Sequence, residues 1–276
     1  MALIMAVLAI GCVEINTGAA PAAAAQPAAA EPAAEEDDAT YILNKGKLVI
    51  GITLFDPMNY YDENNKLIGF DTEYAEAVCA KLGIEPEFIE INWDTKEVEL
   101  NAKSIDCIWN GMTITEERKA NMEFSAPYIK NKQCIVIQKS NEGKLTDTAS
   151  MAGATLVAEV SSAGEEAIQT DENLSKGTYI PVAKQADALL EVKSGTADGA
   201  CIDYVMAKSM VGEGTDYADL MIIEGIELAV EEYGIGFRKG STFAAKVDEA
   251  TQELLKDGTL MAIAEKYGQA DVLLLG

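Results

Sequence analysis

The residues best suited to chemistry lie in one block, Asn110-Gly-Met-Thr-Ile-Thr-Glu-Glu-Arg118. Small residues and hydroxyls there form a turn that leads into a helix. Thr115 can cap that helix, and Glu116 and Glu117 fall in its first turn, where the dipole favours acids. Backbone groups at a helix start lack intrahelical partners and can point at a ligand. Arg118 adds a planar guanidinium fork that matches a carboxylate. Its other use would be a surface ion pair with Glu116 or Glu117. Catalytic alternatives are few. The chain has no histidine, which excludes Ser-His-Asp and Cys-His nucleophiles and every zinc site built on imidazole. Gly234-Ile-Gly236 is followed by Gly240, which misses the GxGxxG spacing. With 46 acidic side chains, carboxylate pairs at glycosidase separation arise by chance. No catalytic residue, metal or cofactor is assigned.

The whole chain supports a binding rather than a nucleic-acid role. Its 276 residues carry 46 acids against 21 bases, a formal net charge of −25. Nucleic-acid affinity depends on Lys and Arg neutralising phosphates, so this balance argues against such a partner. Anionic lipid headgroups are disfavoured for the same reason. Hydrophobic residues make up 49%, enough for a core of one large or two ordinary domains.

Residues 2–13 form one apolar run, shorter than the roughly 20 residues that cross a bilayer. Such a run suits a secretory signal. It contains Ala9-Ile10-Gly11-Cys12, which resembles a bacterial lipoprotein signal and implies cleavage before Cys12 and lipidation of its thiol. Residues 13–40 are rich in Ala, Pro, Glu and Asp, with Glu14, Glu31, Glu35, Glu36, Asp37 and Asp38 and no base. That composition reads as a disordered, self-repelling tether. The expectation is a signal at 1–12, a tether at 13–40, and an exported body anchored on the outer face of the cell membrane, or periplasmic.

The body alternates strands and helices. Lys47–Thr53, Glu85–Ile91, Ile105–Trp109, Cys134–Gln138, Thr155–Val160, Thr178–Val182 and Gly199–Ile202 read as strands. Helices are expected from Asp71, as its cap, to Leu82, near 94–103, after Thr115, at 163–170 and 184–194, and over Thr242–Tyr267 with a break at Asp257-Gly258. Strand and helix in alternation imply α/β layers with mainly parallel sheets. Cys79, Cys107, Cys134 and Cys201 fall inside these elements without any CxxC pair. They read as buried thiols acting as small hydrophobes, with two disulfides as the alternative.

Four separated segments, GFDTEYAEAVCAKLG, GMTITEER, FSAPY and YGIGFRKG…LLKDGTLMAIAEKYG, resemble the polar amino-acid binding proteins of ABC importers. The likeness covers roughly residues 41–270. It implies a type II periplasmic-binding fold: two α/β lobes, 41–131 with 230–276 and 132–229, each with a mainly parallel sheet, joined by a two-strand hinge near Asn131–Gln133 and Leu228–Glu232. It implies no catalysis and no cofactor. Residue by residue, it assigns Arg118 to the ligand α-carboxylate, with a backbone amide and hydroxyl from Thr113. The carbonyl of Gly111 and the carboxylate of Asp203 would take the α-ammonium. Ser161 and Ser162 would donate to the carboxylate from the second lobe, and Phe55 and Trp93 would sandwich the side chain.

The implied partners are a free L-amino acid and the membrane subunits of an ABC permease, with the chain itself a monomer. Some relatives place an aspartate after the first-strand glycine to contact the ligand side chain. Here Gly51 is followed by Ile52, so a neutral side chain is expected. Two further uses of the scaffold stay open at this point. One is an enzyme resembling cyclohexadienyl or arogenate dehydratases, the other a ligand sensor feeding a signalling protein.

Overall fold

A computed structural model describes residues 37–226 and 228–274. The first half contains α1 (Asp38–Lys45), β1 (Lys47–Ile52), the hairpin β2 (Tyr60–Tyr61) and β3 (Leu67–Ile68), and α2 (Phe70–Leu82). It continues with β4 (Glu85–Glu90), α3 (Lys96–Asn101), β5 (Cys107–Thr113), α4 (Glu116–Asn121) and β6 (Met122–Phe124). The long strand β7 (Ile129–Gln138) leads to β8 (Thr155–Glu159), α5 (Ala163–Thr170), β9 (Thr178–Val182) and α6 (Gln185–Ser194). Then come β10 (Gly199–Asp203), α7 (Tyr204–Met210), β11 (Leu220–Ile222), β12 (Val230–Arg238), α8 (Phe243–Lys256) and α9 (Thr259–Lys266). Among the described residues no helix is long and apolar enough to cross a membrane.

The hydrogen-bonded path runs β4-β1-β5-β12-β7-β10-β8-β9. Each end of it is a parallel arm, β4-β1-β5 on one side and β10-β8-β9 on the other. Right-handed crossovers through helices make such arms and bury them on both faces. The arms meet at two antiparallel strands. β7 pairs with β12 over residues 129–132 and then with β10 over residues 133–137. One strand therefore belongs to both arms, and the chain returns to the first arm along β12. This is a two-lobed α/β fold with a two-strand crossing.

Most elements follow from the local sequence. In α2, Tyr74 and Val78 are buried at helical spacing, and Gly83 ends the helix with φ 69°, a conformation that costs glycine little. The break at Asp257-Gly258 separates α8 from α9, with Gly258 at φ 80°. Four expectations need correction. Asp71 is not the cap of α2: the N-cap is Gly69, and Asp71 lies within the helix, fully buried. The helix near 94–103 is a short 3-10 turn at Trp93–Thr95 followed by α3. The strand at Ile105–Trp109 starts later and runs on to Thr113, so Gly111 and Thr113 lie in β5 rather than in a turn. The tether does not reach residue 40. Asp38–Lys45 is helical because Arg238 Nε and Ser241 Oγ donate to the Asp38 carboxylate, and Ile42 is buried. The expected lipidation site Cys12 and the tether up to residue 36 lie outside the described residues. Cys79, Cys107, Cys134 and Cys201 are buried free thiols.

Candidate functional site

A small cavity lies between the two arms, lined by Thr53, Phe55, Trp93, Asn110, Gly111, Thr113, Arg118, Glu159, Ser162, Ala163, Gln185 and Asp203. It lies at the carboxyl ends of β1, β5, β8 and β10, where open α/β sheets leave a crevice. Seven of the eight residues singled out from the sequence line it: Arg118, Asp203, Gly111, Thr113, Trp93, Phe55 and Ser162. Ser161 does not line it. Its carbonyl instead forms part of the rim, accepting from Arg118 Nη2 and from Lys96 Nζ, each at 3.3 Å.

Arg118 owes its position to a local cap. The Thr115 hydroxyl accepts from the Arg118 amide at 3.1 Å, which starts α4 and turns the guanidinium toward the cavity. Nη1 donates to the Thr113 carbonyl at 2.8 Å. The guanidinium carbon sits 5.9 Å from the Trp93 ring centre. The surface ion pair with Glu116 is not made; Glu116 pairs with Lys119. Burial disfavours the charge on Arg118, and Glu231, Glu166 and Asp203 oppose that effect. A carboxylate brought into the cavity would meet a guanidinium that lacks a direct carboxylate partner among the described ion pairs.

Across the cavity, Asp203 ends β10 and is surrounded by donors. Its Oδ1 accepts from Asn131, from Gln133 at 3.0 Å and from the Tyr233 hydroxyl at 2.6 Å. Its Oδ2 accepts from Gln185 Nε2 at 2.6 Å, and the side-chain oxygen Oε1 of Gln185 accepts from the Asp203 amide at 2.8 Å. Asn131 and Gln133 sit on the crossing strand β7 and also donate to Glu231 on β12. Burial first, then the neighbouring Asp203 charge, push the Glu231 carboxyl upward. The Asp203 carboxylate is thus oriented by the very strands that join the lobes.

Gly111 is held from behind. Its amide donates to Asp71 Oδ2 at 2.7 Å, and the Tyr128 hydroxyl donates to the same oxygen at 3.0 Å. Gly111 has φ +55°, and a Cβ there would come within 2.5 Å of Phe55. Asn110 is fixed by Thr53 and Asn59 through three hydrogen bonds. Ser162 caps α5, its hydroxyl accepting from the Glu165 amide at 3.1 Å, while the Glu165 carboxylate takes the Ser161 amide at 2.6 Å. The Glu165 carboxylate thus reaches one residue past the N-cap, to the Ser161 amide, rather than closing a capping box on Ser162.

Sequence reasoning missed Glu159, Gln185, Lys96 and Asp71. A faint signal existed for one: Glu159 ends the apolar run Leu156–Ala158, where a buried strand end meets the crevice. Lys96 is 4% exposed and donates to the Trp93 carbonyl at 3.0 Å. Burial, then the Arg118 charge, lower its ammonium to about 8.

Fold and site together define a two-lobed receptor with an interlobe ligand cavity. Residues 48–270 match the bacterial extracellular solute-binding proteins, family 3, and the chain belongs to that family. It is 29% identical over 236 residues to the L-cystine-binding protein TcyJ of Escherichia coli K12, covering 84% of this chain and 86% of that one. Among solved structures, it resembles a substrate-binding protein of an ABC uptake transporter from Streptococcus pneumoniae with bound histidine: 31% identity, 87% and 99% of the two chains, TM-score 0.77. It also resembles the arginine-bound, truncated ArgBP from T. maritima, at 32% identity over 78% of this chain and 99% of that one, TM-score 0.70.

Proposed function

We propose that this protein captures a free L-amino acid between lobe 41–131 with 230–276 and lobe 132–229, and delivers it to the membrane subunits of an ABC permease. The carrying observation is that Arg118 and Asp203, from opposite lobes, line one cavity. A zwitterion needs a cation for one end and an anion for the other. Both bonds form only when the lobes close, so ligand binding favours the closed state through differential contacts. Arg118 takes the carboxylate, helped by Thr113 and Ser162. Asp203 and the Gly111 carbonyl take the ammonium, and Phe55 and Trp93 flank the side chain. Ser161 contributes its carbonyl to Arg118, which supports a rim role in place of direct ligand contact.

Relatives named for binding cystine, arginine and glutamine support an amino acid as the cargo. The protein acts in this reading as a monomer, without chemistry, outside the cell, with Cys12 as its lipid anchor. The neutral side chain expected from Ile52 rests on one position, and Ile52 is core, 1% exposed.

A thermal-shift screen of the twenty amino acids and cystine tests the proposal, because a ligand that binds the native state raises its melting temperature by mass action. One or a few amino acids should stand out. Arg118→Ala should weaken the hit by about 2–5 kcal/mol, since it leaves a buried carboxylate unpaired. A screen without hits, or an unchanged affinity in that variant, would overturn the reading.

A further inference from the structure

Glu159 stands out inside the cavity. It is 3% exposed, it lines the cavity wall, and its Oε1 has no hydrogen-bond partner. Among the described residues that line the cavity, no other holds a buried side-chain oxygen or nitrogen without one. Two other polar side chains of the lining are held by neighbours: Gln185 by Asp203, and Asn110 by Thr53 and Asn59. A buried polar atom left unpaired is costly, and at a cavity wall a ligand can supply the missing partner.

Charge matching sharpens the point. In the proposed reading, on which this inference rests, Arg118 answers the α-carboxylate and Asp203 the α-ammonium. The backbone of the ligand leaves the site balanced, with Glu159 over. Burial first, then the Asp203 charge, push its carboxyl up to about 8; Asp187 adds to that rise, while Lys96 and Arg118 oppose it. A neutral or anionic ligand side chain would leave this strained acid as it is. A cationic one would pair with the free oxygen and favour the ionised carboxylate. Trp93 already carries Lys96 and Arg118 over its ring, which leaves Phe55 as the aromatic wall for the ligand side chain.

We propose that Glu159 is the specificity-determining residue of the site, selecting L-amino acids whose side chain is a hydrogen-bonding cation, guanidinium or ammonium. The acid missing after Gly51 is replaced by one from β8 in the other lobe. The ligand side chain would then be gripped from the second lobe, adding a third charge pair that forms only on closure.

Calorimetry with two matched pairs tests this: L-arginine against L-citrulline, and L-lysine against L-norleucine. Each pair keeps chain length and removes the charge. The wild-type protein should prefer the cation in at least one pair by about tenfold or more, as sites built around a buried polar group reject partners lacking its complement. Glu159→Gln should shrink that preference to about threefold or less, since the amide keeps the shape and loses the charge. A wild-type protein that binds the neutral member as well or better overturns the assignment, and needs no variant. So does a variant that keeps the preference. If some amino acid stabilises the protein in the thermal screen while neither cation binds, only this inference falls; if none does, the receptor reading falls with it.

Discussion

Lys96 reaches across the cleft to Ser161: its ammonium lies 3.3 Å from the Ser161 carbonyl oxygen, in a residue that holds φ at +58°. Arg118 donates to the same oxygen from the same side. Two cations from one lobe therefore converge on one carbonyl of the other, beside the cavity mouth. The contact ties one lobe to the other and so favours closure. Replacing Lys96 with Met should remove about 1–2 kcal/mol from the closed state, the worth of a charge-assisted hydrogen bond. Small-angle scattering should then give the ligand-free variant a larger radius of gyration than the wild type. An identical radius together with identical ligand affinity would refute a latch role.

Gly111 is required by space as well as by backbone. A Cβ would lie 2.5 Å from Phe55 Cε1 and 3.1 Å from Tyr233 Cε2, at φ +55°. Both the overlap and the left-handed backbone disfavour any larger residue. Gly111→Ala should cost about 1–3 kcal/mol of folding stability, and it should also weaken ligand binding by displacing Phe55. Urea unfolding and calorimetry measure the two effects. A variant matching the wild type in both would show that the strand has slack at this position.

Asp71 gives the protein a pH dependence. Burial pushes its carboxyl from 3.8 up to about 7, against the pull of the Gly111 amide and the Tyr128 hydroxyl. Between those values the folded protein holds a proton that the unfolded chain has released. Its contribution to stability is complete below the lower value and is lost as pH rises through the upper one. Asp71→Asn keeps an oxygen for the Gly111 amide and removes the titration. Wild type should therefore lose ground to this variant as pH rises from 5 to 7.5, by up to about 1.36 kcal/mol per pH unit. Parallel stability curves across that range would contradict the assignment.

Local signals were strong in the sequence wherever the cause was local. Gly83 ends α2 and Gly258 separates α8 from α9, because each needs a left-handed φ that its own residue type favours. Thr115 caps α4 as its hydroxyl and the following acids suggest. The GMTITEER segment supplied Gly111, Thr113 and Arg118, and the wider family resemblance assigned Phe55, Trp93, Ser162 and Asp203, all of which line the cavity. The errors have a common cause. Asp71 looked like a cap because Asp is common there; its true partners, Gly111 and Tyr128, lie 40 and 57 residues away. The tether seemed to run to residue 40 because Asp37 and Asp38 are acids in an acidic stretch, yet Arg238 anchors Asp38 from 200 residues away.

The sequence by itself determined the α/β class and the order of the main strands and helices, which depend on residue type and period and read along the chain; the pairing of Arg118 with Asp203 came from the family resemblance. Only the tertiary structure decided what faces the ligand. Ile52 after Gly51 removed one acid from the reckoning, and folding brought Glu159 into the cavity from the opposite lobe. Burial, not sequence spacing, sets the charge state of Glu159, Lys96 and Asp71. Burial is a property of the assembled fold, in which strands far apart in sequence close over the same few cubic ångströms.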